Sequence, residues 1–68
     1  MPTIEEIREH RYIVVLNGDY KGQTLYVTNW SENFLDCKDS NGNRKGQAVS
    51  LSDVRLATQE EIYKFQGL

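Results

Sequence analysis

The chain has 68 residues and a formal net charge of −2, with a pI near 5.2, which weighs against strong nonspecific binding to nucleic acid. A chain of this length is expected to form one domain, residues 1–68, because hydrophobic cores rarely subdivide below ~100 residues. Cys37 is the only cysteine and His10 the only histidine, which excludes a disulfide framework and a metal site built from several such ligands, so we expect no metal and no cofactor.

The first predicted element is a short helix over residues 3–9. Thr3 and Glu6 have the spacing of a capping box, in which each side chain bonds the backbone N–H of the other residue. Ile4 and Ile7 fall on one side of such a helix. A helix this short is not stable alone, so we expect both isoleucines to pack on the rest of the domain.

Two predicted strands follow, separated by a turn over residues 17–22. The first strand, residues 12–16, is rich in β-branched and aromatic side chains, and the second, residues 24–28, alternates apolar and polar positions. Gly18 and Gly22 supply the positive φ angles that a tight reversal needs. This stretch therefore predicts a β-hairpin at the centre of the fold.

The segment over residues 17–27 resembles a KOW motif, found in small SH3-like barrels of ribosomal proteins and transcription elongation factors. The motif reads roughly G-x-Y-K-G-x-x-G-x-V after an apolar strand. Leu25 stands where the family usually has its last glycine, which weighs against a close approach of the backbone to RNA. The resemblance implies an SH3-like barrel that binds nucleic acid or a ribonucleoprotein. The positions that match the motif are Gly18, Tyr20, Lys21, Gly22 and Val27.

The second half of the chain predicts another hairpin. A third strand over residues 34–39 ends at Asn41-Gly42, a dipeptide typical of a tight turn between two strands. A fourth strand is expected near residues 47–51. A single helical turn at residues 52–53 and a short closing strand over residues 54–57 complete the predicted sheet.

The last predicted element is a C-terminal helix over residues 59–66. Thr58 and Glu61 form a second capping-box pattern, and Ile62 and Phe65 are expected to face inward. The order of these elements is that of an SH3-like barrel. We therefore expect a mainly β protein, a small SH3-like (KOW-like) barrel of about five strands with short N- and C-terminal helices.

Two groups of residues are candidates for binding. Tyr20 and Trp30 could form a stacking surface for bases or a groove for a peptide, although aromatic residues also fill the core of small barrels. Trp30 is the aromatic residue least expected to fill the core, because it lies in a polar stretch and out of phase with Leu25 and Val27. The second group is basic and would meet a phosphate backbone if the two turns lie at one end, but turn cations are also ordinary solubilising residues. It consists of Lys21, Arg44 and Lys45.

The sequence does not predict an enzyme, since Cys37 has no base nearby in the chain and a barrel this small has almost no interior for a small-molecule substrate. The first ten residues lack the apolar segment of a signal peptide and no apolar run approaches the ~20 residues of a membrane helix, so we expect a cytoplasmic protein. Two function classes remain. A small accessory or regulatory protein that docks on a larger protein or ribonucleoprotein machine is slightly favoured by the acidic pI. The alternative is a KOW-type protein that binds RNA or DNA, weakly, in transcription or translation.

Overall fold

The computed structural model describes the backbone of the whole chain and the side chains of residues 1–44 and 49–68. It contains five strands, two α-helices and one 3₁₀ turn, Leu51–Asp53. The helices are α1 (Ile4–His10) and α2 (Gln59–Gln66), and the strands are β1 (Tyr12–Val15), β2 (Thr24–Trp30), β3 (Phe34–Lys38), β4 (Arg44–Ser50) and β5 (Val54–Leu56).

All five strands belong to one antiparallel sheet with the order β4-β3-β2-β1-β5. The first four strands follow one another as a meander, and the chain then returns through the 3₁₀ turn so that β5 pairs with the free side of β1. The sheet is not closed, because β4 and β5 are its edges. The prediction of a mainly β protein with two short helices is confirmed.

Both helices begin at the predicted capping boxes. In α1 the backbone N–H of Glu6 donates to Thr3 Oγ1 at 3.1 Å, and Glu6 Oε1 accepts from the backbone N–H of Thr3 at 2.9 Å. Thr58 and Glu61 make the same reciprocal bonds at α2. Each cap satisfies N–H groups that have no partner inside the helix.

The main core lies between one face of the sheet and α1. Ile7 is fully buried there, as the prediction for α1 required, and Ile4 packs against the same cluster. Burial of each large aliphatic side chain contributes roughly 1.5–3 kcal/mol. The buried members are Ile7, Ile13, Val15, Leu25, Val27, Leu35, Cys37, Leu51 and Val54.

A second, smaller layer covers β1 from the opposite face. Val14 points away from the main core and is buried with Ala57 and Ile62, while Tyr12 packs at the margin of this group. Because both of its faces are covered, β1 reads as a continuous apolar run rather than as an alternating one. His10 Nε2 lies 2.7 Å from the carbonyl oxygen of Ala57 and so links the end of α1 to the segment before α2.

A β-bulge in β2 changes which way Trp30 faces. Val27 pairs with Cys37, but the register then shifts by one residue, so that Trp30 lies opposite Leu35. Directly paired residues share a face of the sheet, and a one-residue slip moves a side chain to the other face. Trp30 is therefore on the core side and half-buried, although simple alternation places it out of phase with Leu25 and Val27.

Candidate functional site

The KOW-like loop between β1 and β2 is held by its own backbone. Gly18 and Gly22 have φ angles of 91° and 86°, and the N–H of Lys21 donates to the carbonyl of Gly18 at 3.2 Å. Tyr20 is half-buried and packs against the main core, whereas Lys21 is exposed. Tyr20 therefore anchors the loop, and Lys21 is its accessible member.

The β3–β4 hairpin lies at the same end of the sheet as this loop. Tyr26, near the start of β2, pairs with Lys38 at the end of β3, and Lys38 pairs with Arg44 at the start of β4. Arg44 is exposed like Lys21, so the topology brings two predicted cations to one end of the sheet. The backbone of Lys45 pairs with Cys37, but the side chain of Lys45 is outside the described residues.

Trp30 lies at the other end of β2. Six residue steps separate it from Thr24, which corresponds to about 20 Å at the ~3.3 Å rise of a strand. The structure thus divides the predicted binding residues between two ends of the sheet. One end carries the Tyr20–Lys21 loop and Arg44, and the other carries Trp30.

Two arginines that the sequence analysis did not single out lie against Trp30. The guanidinium carbon of Arg11 is 4.8 Å from the centroid of the indole ring, and that of Arg8 is 5.9 Å away. A cation at this distance from an indole ring is attracted by roughly 0.5–2 kcal/mol, depending on its exposure. Two cationic side chains therefore lie over the ring of Trp30.

The backbone of Arg11 is held in an uncommon conformation. Arg11 follows the last residue of α1 with φ 71° and ψ −17°, in the left-handed region that favours glycine. Its Nε donates to the carbonyl of Arg8 at 2.9 Å, and its Nη1 donates to the carbonyl of Val27 at 3.4 Å. These bonds hold the guanidinium over Trp30, and the left-handed backbone is that of a helix C-cap, whose N–H donates to the carbonyl of Ile7.

A groove of about 540 Å³ opens beside these side chains. We call it the Trp30 groove. Among the described side chains the one ion pair within 4.0 Å is Arg55–Glu61, so neither arginine of the groove is paired with a carboxylate there. The groove is lined by Glu5, Arg8, Glu9, Arg11 and Trp30.

A second aromatic group lies on the opposite face of the sheet, under α2. The ring of Tyr12 meets the rings of Tyr26 and Phe65 edge-on, with centroids 5.1 and 5.3 Å away. Lys38 Nζ is 5.4 Å from the centroid of Tyr26, and Gln66 donates to Tyr12 Oη at 3.1 Å. Through the Tyr12–Phe65 contact and the Gln66 hydrogen bond, this group fastens α2 to the sheet.

Cys37 is a core residue. Its side chain is 2% exposed, and burial, with a smaller contribution from the charge of Asp36, raises the pKa of the Cys37 thiol to about 12. The thiol is therefore protonated at neutral pH and is a poor nucleophile. Within the described residues no group of three His, Cys, Asp or Glu side chains could hold a metal ion.

Within the described residues, neither α1 nor α2 is long and apolar enough to span a membrane. No family model, no curated protein and no solved structure matches the chain.

Proposed function

We propose that the protein is a non-enzymatic binding module with an SH3-like architecture, which docks on a larger protein or ribonucleoprotein machine through the Trp30 groove. The observation that carries this proposal is the position of the Arg8 and Arg11 guanidinium groups over a half-buried tryptophan at the border of an open groove. Tryptophan and arginine are the side chains most enriched among residues that dominate the affinity of protein interfaces.

The architecture is consistent with that role. The meander β1–β4, the 3₁₀ turn and the return of β5 to β1 follow the strand order of SH3-like folds. Both helices pack on the sheet at their apolar residues, so the groove is presented by a rigid scaffold rather than by a loop. The free thiol of Cys37 supports a cytoplasmic location.

The charges of the groove favour a protein over a polyanion. Glu5 and Glu9 line the same groove as the two arginines, so its formal charge is balanced. A nucleic acid backbone that approached Arg8 would meet both carboxylates, which raises the cost of binding. A protein segment can carry charges of both signs and can therefore pair with the arginines without bringing negative charge against Glu5 and Glu9.

A KOW-type nucleic-acid-binding function is the second candidate, and it would use the opposite end of the sheet. Lys21 and Arg44 are exposed there at neighbouring turns, and Lys45 follows directly in β4. Three cations would give a slope of log K against log salt of about −2 to −3 at most. We expect such binding to be micromolar or weaker near physiological salt, because the chain is acidic overall.

Binding of single- and double-stranded DNA and RNA should be compared for the wild type, Trp30→Ala and the triple variant Lys21→Ala/Arg44→Ala/Lys45→Ala. Capture of partners from a native lysate, with and without nuclease, should accompany it. We expect weak nucleic-acid binding and a nuclease-resistant protein partner that is lost with Trp30→Ala. Tight, salt-sensitive nucleic-acid binding that the triple variant abolishes would overturn the proposal in favour of the second candidate.

A further inference from the structure

We propose that the Trp30 groove recognises an extended peptide segment in which an acidic side chain lies close to a basic one. The carboxylate of the peptide binds the free donors of Arg8 and Arg11, and the basic group binds between Glu5 and Glu9. This inference rests on the proposed protein-docking function and specifies the chemistry of the partner.

The arginine side of the groove has donors to spare. The cation-π contact with Trp30 does not use up the N–H groups of a guanidinium, which can still donate hydrogen bonds. Arg11 uses its Nε and one N–H of Nη1 on the carbonyls of Arg8 and Val27, which leaves its Nη2 available. The guanidinium of Arg8 has no hydrogen-bond partner among the described residues and is exposed. A planar carboxylate matches such a pair of N–H donors.

The geometry lowers the entropic cost of binding for one of these arginines. Arg11 is held by two hydrogen bonds, by the ring of Trp30 and by its position at the end of α1. Ordering a free arginine at an interface costs affinity, and a side chain that is already ordered avoids that cost. Arg11 therefore supplies a fixed positive charge, and Arg8 adapts to the ligand.

The glutamate side of the groove favours a cation. Glu5 and Glu9 are one helical turn apart on α1, where side chains at i and i+4 are neighbours and like charges repel. Neither is within 4.0 Å of a basic group among the described side chains. A lysine or arginine of the partner placed between them would relieve this repulsion. A phosphate group would add to it, and for this reason we favour a peptide with both charges over a phosphorylated or nucleic-acid ligand.

A random peptide display library, panned on the immobilised full chain, is the direct probe. Trp30 is the only tryptophan, so its fluorescence reports binding of the selected peptides at the groove in solution. We expect the enriched peptides to contain an Asp or Glu within a few positions of a Lys or Arg. Arg8→Ala should weaken them about 10-fold or more, the usual effect of removing one charge-assisted partner.

Charge reversal provides the control. Arg8→Glu should abolish enrichment of acidic positions, whereas Lys21→Glu makes the same change of charge at the other end of the sheet and should leave the selected sequences unchanged. Both residues are exposed, and circular dichroism checks that each variant is folded.

The possible failures are distinguishable. Enriched peptides that lack an acidic residue but still require Trp30 would overturn this inference and leave the docking function intact. No enrichment on the wild type, or a fluorescence response to inorganic phosphate as strong as that to the peptides, would also overturn the inference. No enrichment together with tight nucleic-acid binding at Lys21 and Arg44 would overturn both proposals.

Discussion

Replacing Ile62 by alanine tests how strongly α2 is docked on the sheet. The side chain of Ile62 is 9% exposed and is buried with Val14 and Ala57 beside Tyr12. Ile→Ala changes in such positions cost about 2–5 kcal/mol, and we expect about 2–3 because the cluster is small and lies near the surface. A 68-residue domain has a total stability of about 3–10 kcal/mol, so a large fraction of it is lost. The melting temperature should fall by roughly 10–20 °C.

The assay is urea unfolding followed both by the fluorescence of Trp30 and by circular dichroism. Tyr63→Ala is the matched control, because Tyr63 is the next residue of the same helix and is 47% exposed. We expect this control to change the free energy of unfolding by no more than about 0.5 kcal/mol. Equal stabilities of the two variants would refute the docking of α2 through Ile62.

Two further predictions concern local features of the fold. Hydrogen bonds from Arg55, followed by those of the Thr58 cap, lower the pKa of Glu61 from 4.5 to about 2. The stabilisation from Glu61 should thus be complete above pH ~4.5 and be lost as the pH falls towards ~2. Unfolding of Glu61→Gln measured across this pH range should lack that component. Because the ion pair is partly exposed, the component is small, and about 1 M salt should reduce it. Gly42→Ala should lower the free energy of unfolding in urea by about 1–2 kcal/mol, because Gly42 has φ 83° and an added Cβ meets no atom, so that only the backbone conformation opposes it. An unchanged stability would mean that the turn adopts another conformation.

The local features of the fold could be predicted from the sequence. Capping boxes at Thr3 and Thr58 and the Asn41-Gly42 turn depend on residues within a few positions of each other, and the structure confirms all three. Several strand boundaries differ from the prediction by one or two residues, and the largest difference, at the start of β4, has a local reason. β4 begins at Arg44 rather than near residue 47, because Asp39 accepts the backbone N–H groups of Asn41 and Asn43 and pairs the strands directly after the turn.

The position of Trp30 could not be predicted in the same way. A bulge after Val27 turns the side chain of Trp30 back to the core side of the sheet. A bulge of one extra residue has no distinctive sequence pattern. The expectation that Trp30 is an exception to a core role rested on simple alternation, and the register instead places Trp30 on the core side.

Arg8 and Arg11 were missed because their role depends on the packing of α1 against β2. Trp30 is 19 residues after Arg11 in the chain, and no periodicity connects them. The one available signal was the position of Arg11 in the chain. It lies between the last apolar residue of a helix and the first apolar residues of a strand, where helices commonly end in a left-handed residue. Trp30 lies far from Lys21 and Arg44 because β2 runs from the turn end of the sheet to the opposite end, and composition alone does not reveal this.

The central claim is that the protein binds its partner at the Trp30 groove rather than at the turn end of the sheet. The most direct measurement is a map of amide and indole NMR shift changes as a purified partner, or a selected peptide, is added to the labelled chain. We predict that the largest changes include the Trp30 indole N–H and the amides of Arg8 and Arg11. Changes centred on residues 17–23 and 39–44, with the Trp30 indole unaffected, would contradict the claim.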